Sequence, residues 1–203
     1  MIKFLFARVL IMRYRFISIG SGLIRRLRAL LVYLLSGVRF KKVGVHCKLK
    51  GSKIYVGNHV GIGDFCWIEA VEQYNGQYFS PIIKIGEKIA MSDFVHISAI
   101  KYISIGSGTL IGSKVYIGDH SHGHYKDIKI CEQEKDIIPS LRPLADEKEI
   151  IIGKNCWIGD GAVVLAGTEI GDNCVIGANS VLKGNFPANS LIAGVPAKLI
   201  KKR

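Results

Sequence analysis

An aliphatic residue recurs at every sixth position in the C-terminal part of the chain. The series is Ile152, Ile158, Val164, Ile170, Ile176 and Leu182. Glycine follows most members directly, and a residue that is usually small stands two positions before each one, as Cys156, Cys174 and Ser180 do. The same pattern occurs earlier, over residues 56–68, 85–97 and 105–117. The chain therefore carries an internal repeat of six residues.

This six-residue period fits neither a helix nor a sheet of hairpins. Glycine inside every turn would cost a helix about 1 kcal/mol each time, and hairpin strands alternate in twos between less regular turns. Six residues do form one short strand and one corner, with the aliphatic residue inward and glycine, Asn or Asp at the bend. Three such units close a triangular coil. The pattern predicts an all-β solenoid, a parallel β-helix whose coils bury their interior against one another.

Two interruptions divide the repeat. The β-helix is predicted over residues 43–187, with excursions at 72–81 and 121–149 that must leave its wall as external loops. Residues 1–42 form a separate N-terminal helical segment, and residues 188–203 form a C-terminal tail.

The charge of the protein is concentrated at its N-terminal end. The chain has 203 residues and a net charge of +12. Thirteen Lys and Arg residues precede Asp64, the first acidic residue, and the remaining sequence is nearly neutral. No basic-plus-aromatic motif of a nucleic-acid-binding module accompanies this charge, so we expect no nucleic-acid partner.

The basic N-terminal segment alternates Arg with apolar residues at helical spacing. Its uncharged run between Arg28 and Arg39 is too short for a membrane span, which needs about 20 residues, and no signal-peptide pattern is clear. Two interpretations stay open: the helix lies on an anionic membrane surface, or it packs on its own domain or a neighbouring subunit. Five cysteines without a C-x-x-C pair indicate reduced thiols and a cytoplasmic location, with the inner face of the plasma membrane as the site of any membrane contact.

Several segments carry a resemblance to a known family. They are VHISAI at 95–100, SKVYIGDHSHG at 113–123, IGKNCWIGDGAVV at 152–164 and IGANSVLKGNFPANSLIAGVPAKLI at 176–200. The chain resembles the hexapeptide-repeat acyltransferases, and within them the maltose/galactoside-type and surface-polysaccharide O-acetyltransferases. The resemblance implies a left-handed β-helix, a homotrimer, acetyl-CoA as co-substrate without a required metal, and a sugar or lipid-linked glycan as acceptor.

The resemblance also implies a catalytic residue. Acetyl transfer to a hydroxyl needs a general base, and neutral His suits this task because its ordinary pKa is about 6.5. His120 ends the last hexad before the long loop and matches the position of the family's general base. Asp93, His96 and His122 are predicted substrate contacts, although the family usually has Asn near Asp93. Asp119 is either a corner residue or a functional one.

A second group of residues matches the family's acetyl-CoA groove, which lies between C-terminal coils of adjacent subunits. The predicted cofactor contacts are Trp157, Gly159, Ala178, Ser180, Lys183 and Lys198. The glycine and small residues would lie along the pantetheine, and the lysines would meet the phosphates.

Two other functions compete with acetyl transfer. Four His residues from 96 to 124 also suit a zinc site of the γ-carbonic-anhydrase type, since catalytic zinc takes three His and a water. The third alternative is a non-catalytic, membrane-associated scaffold.

Overall fold

The structure is a computed structural model that describes residues 22–202. Residues 22–36 are helical and form α1, and the chain then winds through six triangular coils. Residues 1–21 of the predicted N-terminal segment lie outside the described residues.

Three sheets form the walls of the coils. Sheet A contains β1 (Lys42–Val43), β4 (Gly61–Ile62), β9 (Ala90–Met91), β12 (Leu110–Ile111), β17 (Trp157–Ile158), β20 (Val175–Ile176), β23 (Ser190–Gly194) and β24 (Ala197–Lys202). Sheet B contains β2 (Lys48–Lys50), β5 (Trp67–Ala70), β10 (His96–Ala99), β13 (Tyr116–Gly118), β18 (Val163–Leu165) and β21 (Val181–Leu182). Sheet C contains β3 (Ile54–Val56), β8 (Ile82–Ile85), β11 (Tyr102–Ile105), β16 (Ile150–Ile152), β19 (Glu169–Ile170) and β22 (Asn185–Phe186).

The aliphatic residues of the hexads form columns inside the coils. On sheet B, Ile68 pairs with Ile97, Ile97 with Ile117, and Ile117 with Val164, all in parallel register and without solvent exposure. Each buried side chain of this size contributes about 1.5–3 kcal/mol through removal of its apolar surface from water. The prediction that the aliphatic residue of each hexad points inward is therefore confirmed.

The corners are closed by backbone conformation and by carboxylates. At corner AB, which joins sheet A to sheet B, Asp64 accepts a hydrogen bond from the N–H of Val45, and Asp93 accepts one from the N–H of Asp64. These side chains bind one coil to the next. Corner BC joins sheet B to sheet C and carries both interruptions of the repeat.

Both excursions are structured. Residues 73–78 form a hairpin of β6 (Gln73–Tyr74) and β7 (Gln77–Tyr78). The long loop contains β14 (Ser121–His122), α2 (Ile128–Glu134), a short 3₁₀ helix (Pro139–Leu141) and β15 (Leu144–Ala145). β14 and β15 pair in antiparallel fashion, so the loop leaves and re-enters the wall as a ribbon.

The C-terminal tail extends the coil beyond the predicted boundary at residue 187. β23 pairs in parallel with β20 and continues sheet A, and β24 returns antiparallel to β23. Each of the five cysteines is a free thiol. Among residues 22–202, no helix has both the length and the apolar character that crossing a membrane requires.

Candidate active site

A buried carboxylate holds the imidazole of His120 at corner BC. Asp119 is fully buried, and its two oxygens accept hydrogen bonds from the backbone N–H groups of Ile100, Lys101 and Tyr102 at 2.8–2.9 Å. Its Oδ1 also lies 3.0 Å from Nδ1 of His120. The carboxylate is therefore both a corner residue and the group that orients the ring.

This arrangement selects one tautomer of His120. An ionised carboxylate only accepts hydrogen bonds, so Nδ1 of the neutral ring carries the proton and Nε2 keeps its lone pair. Only 8% of the His120 side chain is exposed. The ring thus has a fixed orientation and a basic nitrogen, the two properties that a general base needs.

A cleft of about 380 Å³, the sheet-B cleft, opens on one side of His120. Its floor is the outer face of β5, β10 and β13, and the hairpin and the long loop form its rim. The lining residues are Lys50, Trp67, Glu69, Val71, Gln73, Tyr74, His96, Ser98, Tyr116, His120, His122 and Leu144. The predicted residues His96, His120 and His122 are therefore brought together in one cleft.

Three aromatic rings follow one another across the floor of this cleft. Trp67 and His96 are stacked with ring centroids 4.5 Å apart, and Tyr116 meets His96 edge-on at 5.3 Å. Gly118 makes this possible, because a Cβ at that position would overlap the hydroxyl group of Tyr116.

Burial sets the protonation of these rings. It lowers the pKa of His96, His120 adds to the lowering, and Glu69 opposes it. Among the described residues, Nε2 of His96 is buried without a hydrogen-bond partner. The pKa of Tyr116 is raised by burial and by Asp119, so its phenol stays protonated. At neutral pH the cleft floor therefore offers a neutral imidazole and a hydroxyl donor.

His122 belongs to the rim. Its Nδ1 lies 3.2 Å from the hydroxyl group of Tyr74, which also donates to the carbonyl oxygen of Ser140. Burial lowers the pKa of His122, and His120 lowers it further. His124 points instead into the long loop, where its Nδ1 lies 2.7 Å from Glu134.

A second cavity, of about 150 Å³, is also lined by His120. The residues around it are His120, Ser121, Tyr125, Lys126, Asp146, Leu165, Ala166 and Lys183. It extends toward the C-terminal coils, and the predicted phosphate contact Lys183 lies in its wall. His120 therefore lines both cavities.

The other predicted cofactor residues lie away from His120 within one protomer. Trp157 is 54% exposed on the outer face of sheet A, in a cleft of about 570 Å³ with Lys201 and Lys202. Lys198 is exposed on β24. Ala178 is exposed at corner AB, whereas Gly159 is buried there, and a Cβ at Gly159 would overlap the backbone of Ala178.

Two predicted site residues lie outside the cavities beside His120. Ser180 has no exposed surface, and its Oγ accepts a hydrogen bond from the N–H of Gly194, so the prediction that this side chain contacts the cofactor is wrong. Asp93 lies at corner AB, where its carboxylate caps Asp64, and not in the sheet-B cleft. A substrate contact by Asp93 stays a prediction.

The sequence pattern did not identify Trp67, Glu69 and Tyr116 as site residues. Each precedes or follows an inward aliphatic residue of a sheet-B strand by one position, which is the signal for an outward side chain. Within residues 22–202, no group of three or more His, Cys, Asp or Glu side chains is arranged to hold a metal. Metal analysis of untagged protein would test the zinc alternative.

The comparisons with known proteins agree with the hexapeptide repeat. Residues 149–184 match the family model "Bacterial transferase hexapeptide (six repeats)". A putative lipopolysaccharide biosynthesis O-acetyl transferase, WbbJ of Escherichia coli K12, is 44% identical over 60% of this chain and 61% of its own length. A dTDP-4-amino-4,6-dideoxy-D-glucose acyltransferase from Escherichia coli is 29% identical over 83% of this chain and 85% of its own. The chain spans about three fifths of the length of the WbbJ relative.

Solved structures share the fold. AntD, an N-acyltransferase from Bacillus cereus, superposes with a TM-score of 0.64 at 18% identity, covering 85% of this chain and 86% of its own. A hexapeptide-repeat acetyltransferase from Vibrio cholerae gives a TM-score of 0.55 at 23% identity over 88% and 80% of the two chains. The repeat, the coil and the comparisons together show a left-handed parallel β-helix of hexapeptide repeats, and the chain is similar to acetyltransferases and acyltransferases that are built on this repeat.

Proposed function

We propose that the protein transfers an acetyl group from acetyl-CoA to a hydroxyl group of a sugar during surface-polysaccharide biosynthesis. The observation that carries this proposal is the position of His120, which Asp119 orients and which lines two cavities. The choice of chemistry is supported by relatives whose names are a putative lipopolysaccharide biosynthesis O-acetyl transferase and a putative colanic acid biosynthesis acetyltransferase.

The reaction follows from this position. An acceptor hydroxyl in the sheet-B cleft gives its proton to Nε2 of His120 while its oxygen attacks the thioester carbonyl carbon. The tetrahedral intermediate then collapses with cleavage of the C–S bond. The proton passes from His120 to the departing CoA thiolate. His120 is unchanged at the end, so no covalent enzyme intermediate is needed.

The two cavities suit the two substrates differently. The cavity with Lys183 and Leu165 points along the C-terminal coils, and an ammonium group there can bind a CoA phosphate. The sheet-B cleft offers Ser98, Tyr116 and the carboxylate of Glu69, which suit the hydroxyl groups of a sugar ring. We assign the first to acetyl-CoA and the second to the acceptor.

A thiol-release assay tests the proposal. The full-length protein and acetyl-CoA are incubated with free sugars, nucleotide sugars and lipid-linked sugars, and acetylated products are identified by mass spectrometry. We expect thiol release that depends on one acceptor class and an O-acetyl ester in the product. Absence of acceptor-dependent release across the whole panel would contradict the assignment.

Gly118 offers a more local test of the acceptor cleft. We expect Gly118→Ala to displace Tyr116 from its position over the strand, because the new methyl group and the Tyr hydroxyl group cannot share the space. Overpacking of this kind costs about 1–3 kcal/mol of stability. The KM for the acceptor should rise several-fold while the KM for acetyl-CoA stays nearly constant. Equal changes in both KM values would show that the two cavities are not separate.

We also propose that the protein makes a peripheral contact with the inner face of the plasma membrane. The surface of α1 supports this part of the proposal. Only Ala29 of the helix is buried, and Arg25 ties the helix to Asp64 through a 3.0 Å ion pair. Val32 is partly buried against the core, and the helix exposes seven other aliphatic side chains: Leu23, Ile24, Leu27, Leu30, Leu31, Leu34 and Leu35. With Arg26 and Arg28 on the same helix, this surface suits anionic lipid.

We expect the triple variant Leu27→Glu, Leu31→Glu, Leu34→Glu to lose binding to anionic vesicles by at least about 10-fold, since each buried Leu contributes about 1.5–3 kcal/mol. Co-sedimentation with phosphatidylglycerol vesicles measures this. Leu199→Glu, at an exposed position on β24, is the matched control. If the triple variant changes oligomeric mass and not vesicle binding, the helix packs on a neighbouring subunit.

A further inference from the structure

Two neighbouring cavities lie at the junction between α1 and the first coil. Their volumes are about 390 Å³ and about 370 Å³, and both are lined by Arg26 of the helix and by Arg39, Phe40 and Lys41 of the segment that leads into β1. Phe40 and Ala29 are buried, and they join the helix to the core of the coil. We call the space that these shared residues line the α1 cleft.

The α1 cleft is positively charged and has no acidic residue in its lining. In the described part of the chain, none of its three cations, Arg26, Arg39 and Lys41, takes part in an ion pair. Residues 1–21 contain no Asp or Glu, so no side chain of that segment can neutralise the cleft. Three cations that are close together without a counter-ion repel one another, and a bound anion relieves this repulsion.

Phosphate is the anion that suits this arrangement of cations. Guanidinium groups bind phosphate oxygens through paired, charge-assisted hydrogen bonds, and an ammonium group adds a further charge. A water molecule takes about 30 Å³ of liquid volume, so either cavity has room for a phosphate group and several waters. With three cations, the cleft should prefer a phosphomonoester, whose charge at pH 7 is about −1.5 to −2, to a phosphodiester, which carries a single charge.

The apolar side chains beside the cations indicate that the phosphate belongs to a lipid. Leu30 and Tyr33 of α1 line the larger cavity and are 53% and 48% exposed. Leu30 is also one of the exposed aliphatic residues for which the membrane contact is proposed. A free phosphate makes no use of apolar neighbours, whereas a lipid phosphate carries glycerol and acyl chains next to its charge.

We propose that the α1 cleft binds the phosphomonoester headgroup of an anionic membrane lipid. This inference rests on the proposed membrane contact of α1 and gives that contact a defined binding site. The exposed leucines of the helix attract it to any bilayer, and the cleft adds selectivity for one class of headgroup. Because Arg26 lies on the helix and Arg39 and Lys41 lie on the segment before β1, a bound headgroup also holds α1 against the first coil.

Co-sedimentation with two kinds of vesicle tests the headgroup. One kind contains phosphatidic acid, a phosphomonoester, and the other contains phosphatidylglycerol, a phosphodiester, both in phosphatidylcholine and adjusted to equal surface charge. We expect the full-length protein to bind the phosphatidic acid vesicles at least about 5-fold more tightly, since hydrogen bonds between charged groups are the strong ones. Equal binding to both vesicles would leave the membrane contact in place and refute the site. Binding to neither would refute the contact and the site together.

Two charge-matched variants locate the selectivity. Arg39→Gln with Lys41→Gln removes two cations from the cleft, and we expect the preference for phosphatidic acid to disappear. Arg28→Gln with Lys42→Gln removes the same residue types from positions outside both cavities. This control should weaken binding to the two vesicles alike and keep the preference. Thermal unfolding verifies that both variants fold. A preference that survives in the cleft variant, or that is lost in both variants, overturns the proposal.

A soluble probe separates a lipid headgroup from a free phosphate. Glycerol 3-phosphate has the headgroup chemistry of phosphatidic acid without the acyl chains, and isothermal titration calorimetry measures its binding to the full-length protein. We expect millimolar or weaker binding, because the apolar contacts are missing. Micromolar binding that the cleft variant abolishes would mean that the cleft takes a free phosphate and not a lipid. These measurements use neither acetyl-CoA nor an acceptor, so failure of the proposed acetyl transfer is detected separately from failure of the cleft.

Discussion

Replacing His120 by Ala should reduce the rate of acetyl transfer by at least about 10²-fold, the usual contribution of a positioned general base. The side chain holds no neighbouring backbone in place, and its one hydrogen-bond partner, Asp119, keeps three backbone N–H donors in the variant. The loss should therefore fall on kcat, with a nearly unchanged KM for acetyl-CoA. Steady-state thiol release measures both quantities, and circular dichroism and thermal unfolding verify the fold.

The matched control is His59→Asn. His59 lies at an exposed corner with φ of 63°, a conformation that Asn accepts, and it lines neither cavity beside His120. Its substitution should leave the rate within about 2-fold of the wild type, as expected for surface changes. A wild-type rate in His120→Ala would exclude this residue as the base. If no transfer is found in the wild type either, the scaffold interpretation gains support.

The interior of the coil could be predicted from sequence because the rule that produces it is local. The pattern within each hexad predicts which residue points inward. Ile97 and Val164 are therefore buried irrespective of the loops elsewhere in the chain. The same hexad pattern predicts that the side chain of Ser180 faces the interior of the coil. That residue stands two positions before Leu182, as Cys174 does before Ile176, and both small residues face the interior. Its assignment to the cofactor came from its size alone.

The floor of the sheet-B cleft could not be predicted in the same way. Trp67, His96 and Tyr116 become neighbours only after the coils stack. The hairpin lies between Trp67 and His96, so these two residues are 29 positions apart along the chain, whereas His96 and Tyr116 are 20 positions apart. The sequence motif predicted that His120 lies at the end of its strand. The tautomer of His120, however, depends on the carboxylate of Asp119, which also accepts hydrogen bonds from the backbone of the preceding coil. These two roles of Asp119 become apparent only in the three-dimensional structure.

Because Asp119 both closes the corner and orients His120, we expect its substitution to affect both catalysis and stability. In Asp119→Asn, an amide oxygen can still accept from Lys101 and Tyr102, but the amide NH₂ then faces the N–H of Ile100 and Nδ1 of His120. Nδ1 becomes the acceptor, the proton moves to Nε2, and the ring can no longer take a proton from the substrate. We expect kcat to fall by about 10²-fold or more, with a loss of about 1–3 kcal/mol in stability for the unsatisfied N–H.

A purely structural role for Asp119 would give a different result, and two measurements separate the cases. Asp160→Asn alters another corner carboxylate, whose Oδ1 accepts from the N–H of Ser113 at 2.7 Å with no His beside it. It should lose stability without a comparable loss of kcat. Long-range ¹H–¹⁵N NMR of His120 should show the bare nitrogen at Nε2 in the wild type and at Nδ1 in Asp119→Asn. The same tautomer in both proteins, or equal losses of kcat in the two Asn variants, would mean that the carboxylate only closes the corner. In that case the orientation of the base must come from the substrates themselves.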